Sequence, residues 1–226
     1  MIYFDNVTKI FPNNCSALSD VSFGISNGEF ISIVGKSGAG KSTLMNLILA
    51  KQKPNRGKIT FENLDVSKMS HSYLPFYRRK IGNIYQDYKL LPKKTVFENI
   101  AFSLEVLGKS DSEIKRTVPQ ALELCGILEK SSNFPDQLSG GEQQRAVIAR
   151  AIVIQPKLIL ADEPTGNLDV YTAEEIMKLF LKINQLGITI ILATHNKDIV
   201  NMLNKRVIVI EDGRIIRDEH EGKYHL

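Results

Sequence analysis

Apolar and polar positions alternate around Ile2 to Val7 and again from Val21 to Ile25, the period of strands with one buried face. Asn27-Gly28 follows as a hairpin signal, so an antiparallel β layer is expected to open the chain. Phe30-Ile31-Ser32-Ile33-Val34 is a short apolar run ending in glycine, and a helical stretch from Lys41 to about Ala50 stops before Pro54. These three parts predict a first strand, glycine loop and helix.

The pattern then changes. Thr95-Val96-Phe97-Glu98 and Ser110-Asp111-Ser112-Glu113 both match the capping box, in which a hydroxyl and a glutamate three residues later satisfy orphan amides at a helix start. Two helices are predicted, ending near Gly108 and Gly126, with Pro119 expected to kink or split the second. The span 87–155 therefore reads as a mainly helical subdomain inserted into an α/β core. After Pro156 the alternation resumes: a buried strand from Leu158 to Ala161, a helix from about Thr172 to Leu186 and a buried strand from Ile188 to Ala193. Val207 to Ile210 and Ile215 to Ile216 flank Asp212-Gly213, a second hairpin signal. The chain is expected to be one domain over 1–226. Its α/β core, at 1–86 and 156–226, is a mainly parallel sheet flanked by helices, with the antiparallel layer added at the N-terminal end.

Composition narrows the classes. With 226 residues, 43% of them hydrophobic and 24% charged, the chain can bury a sizeable core and is not a disordered protein. A net charge of +4 is too mild for a dedicated nucleic-acid binder. Arg78, Arg79, Lys80, Lys89, Lys93 and Lys94 do concentrate positive charge, either as a solvated face or as a surface near anionic lipid headgroups or an acidic partner loop. Cys15 and Cys125 are far apart, which indicates neither a metal site nor a disulfide framework and fits a reducing compartment. No basic-then-apolar leader opens the sequence, and no run approaches the roughly 18 apolar residues of a membrane span; a chain neither exported nor membrane-spanning is expected.

Chemistry enters at Gly35-Lys36-Ser37-Gly38-Ala39-Gly40-Lys41-Ser42, which matches G-x-x-x-x-G-K-[ST] between a predicted strand and helix. Backbone N–H groups of such a loop point at phosphate oxygens, the following helix adds its positive dipole end, Lys41 should reach the β- and γ-phosphates and Ser42 should bind Mg²⁺. Asp162 and Glu163 end an apolar strand, where open α/β sheets bind ligands; Asp162 suits Mg²⁺ and Glu163 suits polarising the attacking water. Leu138-Ser139-Gly140-Gly141-Glu142 forms a third capping box. Capping accounts for Ser139 and Glu142 but not for two adjacent glycines, which point to something approaching exposed amides, with phosphate the obvious candidate.

Taken in order, Gly35 to Ser42, Gln86, Leu138 to Glu142, Asp162-Glu163, Gly166-Asn167-Leu168-Asp169 and His195 resemble the motif set of ABC ATPases across essentially the whole chain. That resemblance implies a RecA-like P-loop NTPase core and ATP and Mg²⁺ as cofactors. Glu163, Gln86 and His195 would be catalytic, and Ser42, Gln86 and Asp162 would be the metal site. It further implies Phe11 against the adenine, Ala17 and Thr43 among the nucleotide contacts, and His195 on the γ-phosphate. The family geometry is a head-to-tail homodimer in which Ser139, Gly140, Gly141 and Glu142 of one chain cover ATP held by the other, with Asp169 relaying between the sites. Pro75 to Gly82, Gln86 to Leu91 and Asn133 to Arg145 resemble most the cell-division branch of the family. Its partner is a polytopic membrane protein of the FtsX type, its output is control of peptidoglycan hydrolysis, and its place is the cytoplasmic face of the bacterial inner membrane. ATPases of lipoprotein-releasing and macrolide-exporting complexes share Gly166 to Asp169 and form the alternative. Leu90, Leu91, Val96 and Phe97 fall where the family seats its partner, although core packing accounts equally for the last two. Asn196 stands where the family usually has aspartate, which puts a local helix cap in question.

Overall fold

The computed structural model describes residues 1–12, 15–220 and 222–223. In chain order the elements are β1 (Ile2–Ile10), β2 (Ser16–Ile25), β3 (Phe30–Val34), α1 (Lys41–Ile48), β4 (Arg56–Phe61), β5 (Leu64–Asp65), α2 (Leu74–Arg78), β6 (Ile81–Ile84), α3 (Val96–Glu105), α4 (Asp111–Leu124), α5 (Gly140–Ile152), β7 (Leu158–Asp162), α6 (Val170–Gln185), β8 (Thr189–Thr194), α7 (Lys197–Leu203), β9 (Arg206–Glu211) and β10 (Arg214–Glu219). This is an α/β fold. It divides into two compact units, 1–78 with 184–226, and 79–183.

In the first unit the expected antiparallel layer is present, as a sheet of order β2-β1-β4-β5. Ile2, Phe4 and Val7 turn inward from β1 while Tyr3 and Asp5 face out, and Phe4 stacks on Phe23 of β2 at 4.7 Å between ring centroids. Asn27-Gly28 does not make the expected hairpin. β2 pairs with β1, and the turn at Gly28 carries the chain into β3, which pairs in parallel with both β8 and β9. Burial explains the outcome: the residues of β2 alternate between buried and more exposed, whereas all five of β3 are buried, so β3 needs a strand on either side and cover on both faces. Asp212-Gly213 does turn the β9–β10 hairpin, with φ of 45° and 74°, the left-handed pair that a tight two-residue turn requires.

Helices secure both ends of this scaffold. Val200 of α7 packs with Val34, Val207 and Val209 of β3 and β9. The cap in question at Asn196 is intact, because its Oδ1 accepts from the amides of Asp198 at 3.0 Å and Ile199 at 3.2 Å; asparagine serves there as well as aspartate. At the end of α1, the Tyr77 hydroxyl donates to the Ile48 carbonyl, and Arg78 donates to the carbonyls of Leu49 and Ala50 at 3.0 and 3.1 Å. Burial pushes the Tyr77 phenol well above its ordinary pKa. Arg78 thus caps the end of α1 while remaining exposed.

In the second unit β6 and β7 run parallel, and α3, α4 and α5 pack on one another. Both predicted boxes form: Glu98 accepts from the Thr95 amide at 2.7 Å, and Glu113 from the Ser110 amide at 3.1 Å. Each box contributes about 1 kcal/mol to starting its helix. α4 is not split at Pro119 but continues to Leu124. The carbonyl that proline leaves without a partner belongs to exposed Lys115, where water serves, while Ile114, Val118, Ala121 and Leu122 hold the other face in the core. Helices α3 to α5 fall inside 87–155, and the compact unit adds β6, β7 and α6 to them.

Candidate functional site

In the first unit, β3 delivers the chain from the core into the loop Gly35 to Gly40, and α1 starts at Lys41. Gly40 sits at the helix start with φ of 111°, and a side chain there would strike the Ala17 carbonyl and come within 2.9 Å of Leu18. Only glycine fits. The Lys41 ammonium lies back over the loop, donating to the carbonyls of Gly35 at 2.7 Å and Lys36 at 3.1 Å. Ser42 and Lys36 to Gly38 are exposed, and Thr43 is half-buried. The Gly213 amide donates to the Ala39 carbonyl at 3.2 Å and its carbonyl accepts from Ser19 at 2.8 Å, so the β9–β10 turn ties the loop to the start of β2. Ala17 is thereby held beside the phosphate loop. Phe11 lies just beyond β1 with the Lys9 ammonium 5.5 Å from its ring centroid, and His195 is exposed at the end of β8.

In the second unit, Asp162 is the last residue of β7 and Glu163 follows with φ of 47°. A residue with a Cβ is strained there. The left-handed residue breaks the strand direction, and the Glu163 carbonyl accepts from the Gly166 amide at 3.1 Å to close a turn. Gln86 belongs to this cluster: a side chain on Gly166 would come within 3.0 Å of the Gln86 amide nitrogen, and Asn167 donates to the Gln86 carbonyl at 3.5 Å. Asp169 accepts from the Thr172 amide at 2.9 Å and its hydroxyl at 2.6 Å, starting α6. Those bonds hold its carboxyl below the usual range.

Ser139 starts α5. Glu142 accepts from the Ser139 amide at 2.8 Å and its hydroxyl at 3.0 Å and pairs with Lys130 at 3.2 Å. The Ser139 amide first, then the hydroxyl and Lys130, keep Glu142 ionised below the ordinary glutamate range. The paired glycines have a reason within the chain: a side chain on Gly141 would come within 2.6 Å of Thr172, and one on Gly140 within 3.1 Å of the Tyr88 hydroxyl and 3.3 Å of Leu168. Close packing against the Asp169 segment thus favours glycine at both positions, beside any ligand that approaches their amides. Among the described residues, no three His, Cys, Asp or Glu gather into a metal site, and no helix is long and apolar enough to cross a membrane.

Residues 18–166 match the profile of the ABC transporter family. The chain belongs to that family. As an ABC ATPase it is 52% identical to the cell division ATP-binding protein FtsE of Bacillus subtilis, covering 99% of this chain and 98% of the relative. It is 44% identical to FtsE of Escherichia coli K12 over the whole of both chains. Among solved structures it resembles a dimeric bacterial ABC transporter cassette, at 36% identity and a TM-score of 0.88 over 99% of this chain and 100% of the other. A dimeric ATP-binding cassette in a post-hydrolysis state with ADP and phosphate gives 35% identity and 0.87 over the same shares. The ABC fold, a P-loop NTPase core, is thereby the one the sequence predicted.

Two supports escaped the reading of the sequence. Gly213 looked like a turn residue only, and its contact with the phosphate loop has no local signal. Arg150 sits in a helical stretch with no motif of its own, yet donates to the carbonyls of Lys89 at 2.7 Å and Tyr88 at 3.0 Å.

Proposed function

We propose that the chain is the ATP-hydrolysing subunit of a bacterial cell-division complex of the FtsE–FtsX type, working as a head-to-tail homodimer on the cytoplasmic face of the membrane. The observation that carries the reading is full-length similarity, at 52% and 44% identity, to proteins named as cell division ATP-binding FtsE in two bacteria. The likeness to dimeric cassettes supports the paired state. Residues 87–155 form the helical subdomain that presents Ser139 to Glu142 to the ATP of the second chain.

Each residue takes a role from its chemistry. The amides of Gly35 to Ser42 and the Lys41 ammonium bind phosphate, while Phe11, Ala17 and Thr43 complete the nucleotide contacts. Glu163 accepts the proton of the attacking water, Gln86 orients that water, and His195 donates to the γ-phosphate. Ser42, Gln86 and Asp162 are oxygen donors of the kind Mg²⁺ takes, and a single carboxylate among them fits an ion that arrives with substrate phosphates. When bound, Mg²⁺ neutralises charge on the β- and γ-phosphate oxygens. Leu90, Leu91 and Phe97, each half-buried, are the part of the segment after Gln86 suited to seat the membrane partner, whereas Val96 is buried in the core. ATP binding closes the pair and hydrolysis opens it, moving the partner to control peptidoglycan hydrolases.

Affinity purification of the tagged chain from membranes is the test. Recovery of an FtsX-like membrane protein is expected; recovery of a lipoprotein-releasing or exporting permease instead would replace this reading.

A further inference from the structure

The segment after Gln86 has a backbone that residues with side chains adopt only when something holds it. Tyr88 and Lys89 are consecutive left-handed residues, with φ of 46° and 52°. The Lys89 amide donates to the Asp87 carbonyl across the turn, and the Lys89 ammonium lies 3.9 Å from the centre of the Tyr85 ring. The outer hold comes from α5. Arg150, in its last turn, spreads its two terminal nitrogens over the carbonyls of Lys89 and Tyr88, a fit to the rigid guanidinium fork that an ammonium cannot reproduce. Arg150 is half-buried, and that burial lowers its pKa. At the opposite end of α5 the Tyr88 hydroxyl lies against Gly140, close enough to crowd any side chain there. The turn therefore touches α5 at its first residue and in its last turn.

We propose that Arg150 is a positioning residue for ATP hydrolysis: by clamping the Tyr88–Lys89 turn to α5, it fixes Gln86, two residues upstream, to the helix that begins with the Ser139-Gly140-Gly141 motif. The inference rests on the role proposed for Gln86. A displacement of the Gln86 side chain by a fraction of an ångström would slow the attack on ATP while leaving the phosphate loop able to bind it.

The experiment measures steady-state hydrolysis of MgATP, over a range of ATP concentrations, by the full chain together with its membrane fraction. Arg150→Lys, which reaches one carbonyl at most, should lower kcat roughly 10-fold with KM within about 2-fold. In a Gln86→Ala background the same change should do almost nothing, because the group it positions is gone. Lys89→Gly, which takes up the left-handed conformation unaided, should restore part of the loss; if Arg150→Lys does not fold alone, the comparison is made in that background. A wild-type rate for Arg150→Lys, or a loss that multiplies fully with Gln86→Ala, overturns the inference and leaves the proposed function standing. A wild-type rate for Gln86→Ala, or no hydrolysis by the unaltered chain, removes the reading of the site and the inference with it. A rise in KM in step with a lower melting temperature marks Arg150 as a structural residue only.

Discussion

Asn99→Ala should be among the most damaging single changes outside the nucleotide residues. Asn99 lies fully buried on α3. Its Oδ1 accepts from the Leu91 amide at 2.7 Å, and its Nδ2 stands 3.1, 3.0 and 2.9 Å from the carbonyls of Leu91, Lys94 and Thr95. Two N–H groups can serve two of those three carbonyls fully, so alanine removes three complete bonds of about 1 kcal/mol each, and the Leu91 amide left without its partner adds about 1 more. A loss of about 4 kcal/mol corresponds to a melting temperature lower by roughly 8–16 °C in a chain of this size. Urea denaturation with an unchanged m value would check the figure. Asn99→Asp should be at least as harmful at neutral pH, since it keeps the acceptor and turns a second pair of lone pairs toward three carbonyls. A loss below about 1 kcal/mol for alanine, or wild-type stability for aspartate, would refute the idea that this one side chain shapes the segment from Leu91 to Thr95.

Glu163→Gln should keep ATP binding and lower turnover by roughly 10²-fold or more, read as phosphate release; a wild-type rate would end its role as general base. Ser139→Arg should abolish hydrolysis without weakening ATP binding to the isolated chain, and reduced affinity of that single chain would contradict the head-to-tail arrangement. The Lys109 ammonium first, then the Ser110 amide and hydroxyl, hold the Glu113 carboxyl at about 2. A lowered folded pKa contributes stability above the unfolded value that is lost as pH falls toward the folded one, so Ser110→Ala should flatten the acid limb between about 4.5 and 2, as a carboxyl titration by NMR would show. Burial pushes the Cys125 thiol up to about 12, so at pH 8 a thiol reagent should modify exposed Cys15 quickly and reach Cys125 only on unfolding.

The chemistry was legible because phosphate loops, strand-end carboxylates and capping boxes are local: spacing alone places Lys41, Asp162, Glu163 and Ser139 on the right elements. What escaped depends on distant parts of the chain. Asn27-Gly28 has hairpin composition, but the need of β3 for two buried neighbours overrode it. Strands β4 to β6 and helices α2 and α7 are short and carry no long period, and α2 matters through Tyr77 and Arg78 reaching the end of α1, some 30 residues earlier in the chain. Side chains of Tyr88, Leu168 and Thr172 lie within 2.6–3.3 Å of where a Cβ on Gly140 or Gly141 would sit, a second call for small residues beside the one a phosphate makes. Cβ contacts of that kind leave no trace in spacing.

The left-handed backbone at Glu163 has a consequence for how this chain would evolve. Glycine or asparagine would sit more comfortably in that conformation than glutamate does. A library selected for heat resistance alone should therefore enrich such replacements, and on the proposed role of Glu163 each should bind ATP without cleaving it. With Glu163 in the proposed role of general base, the glutamate works there against the preference of its own backbone.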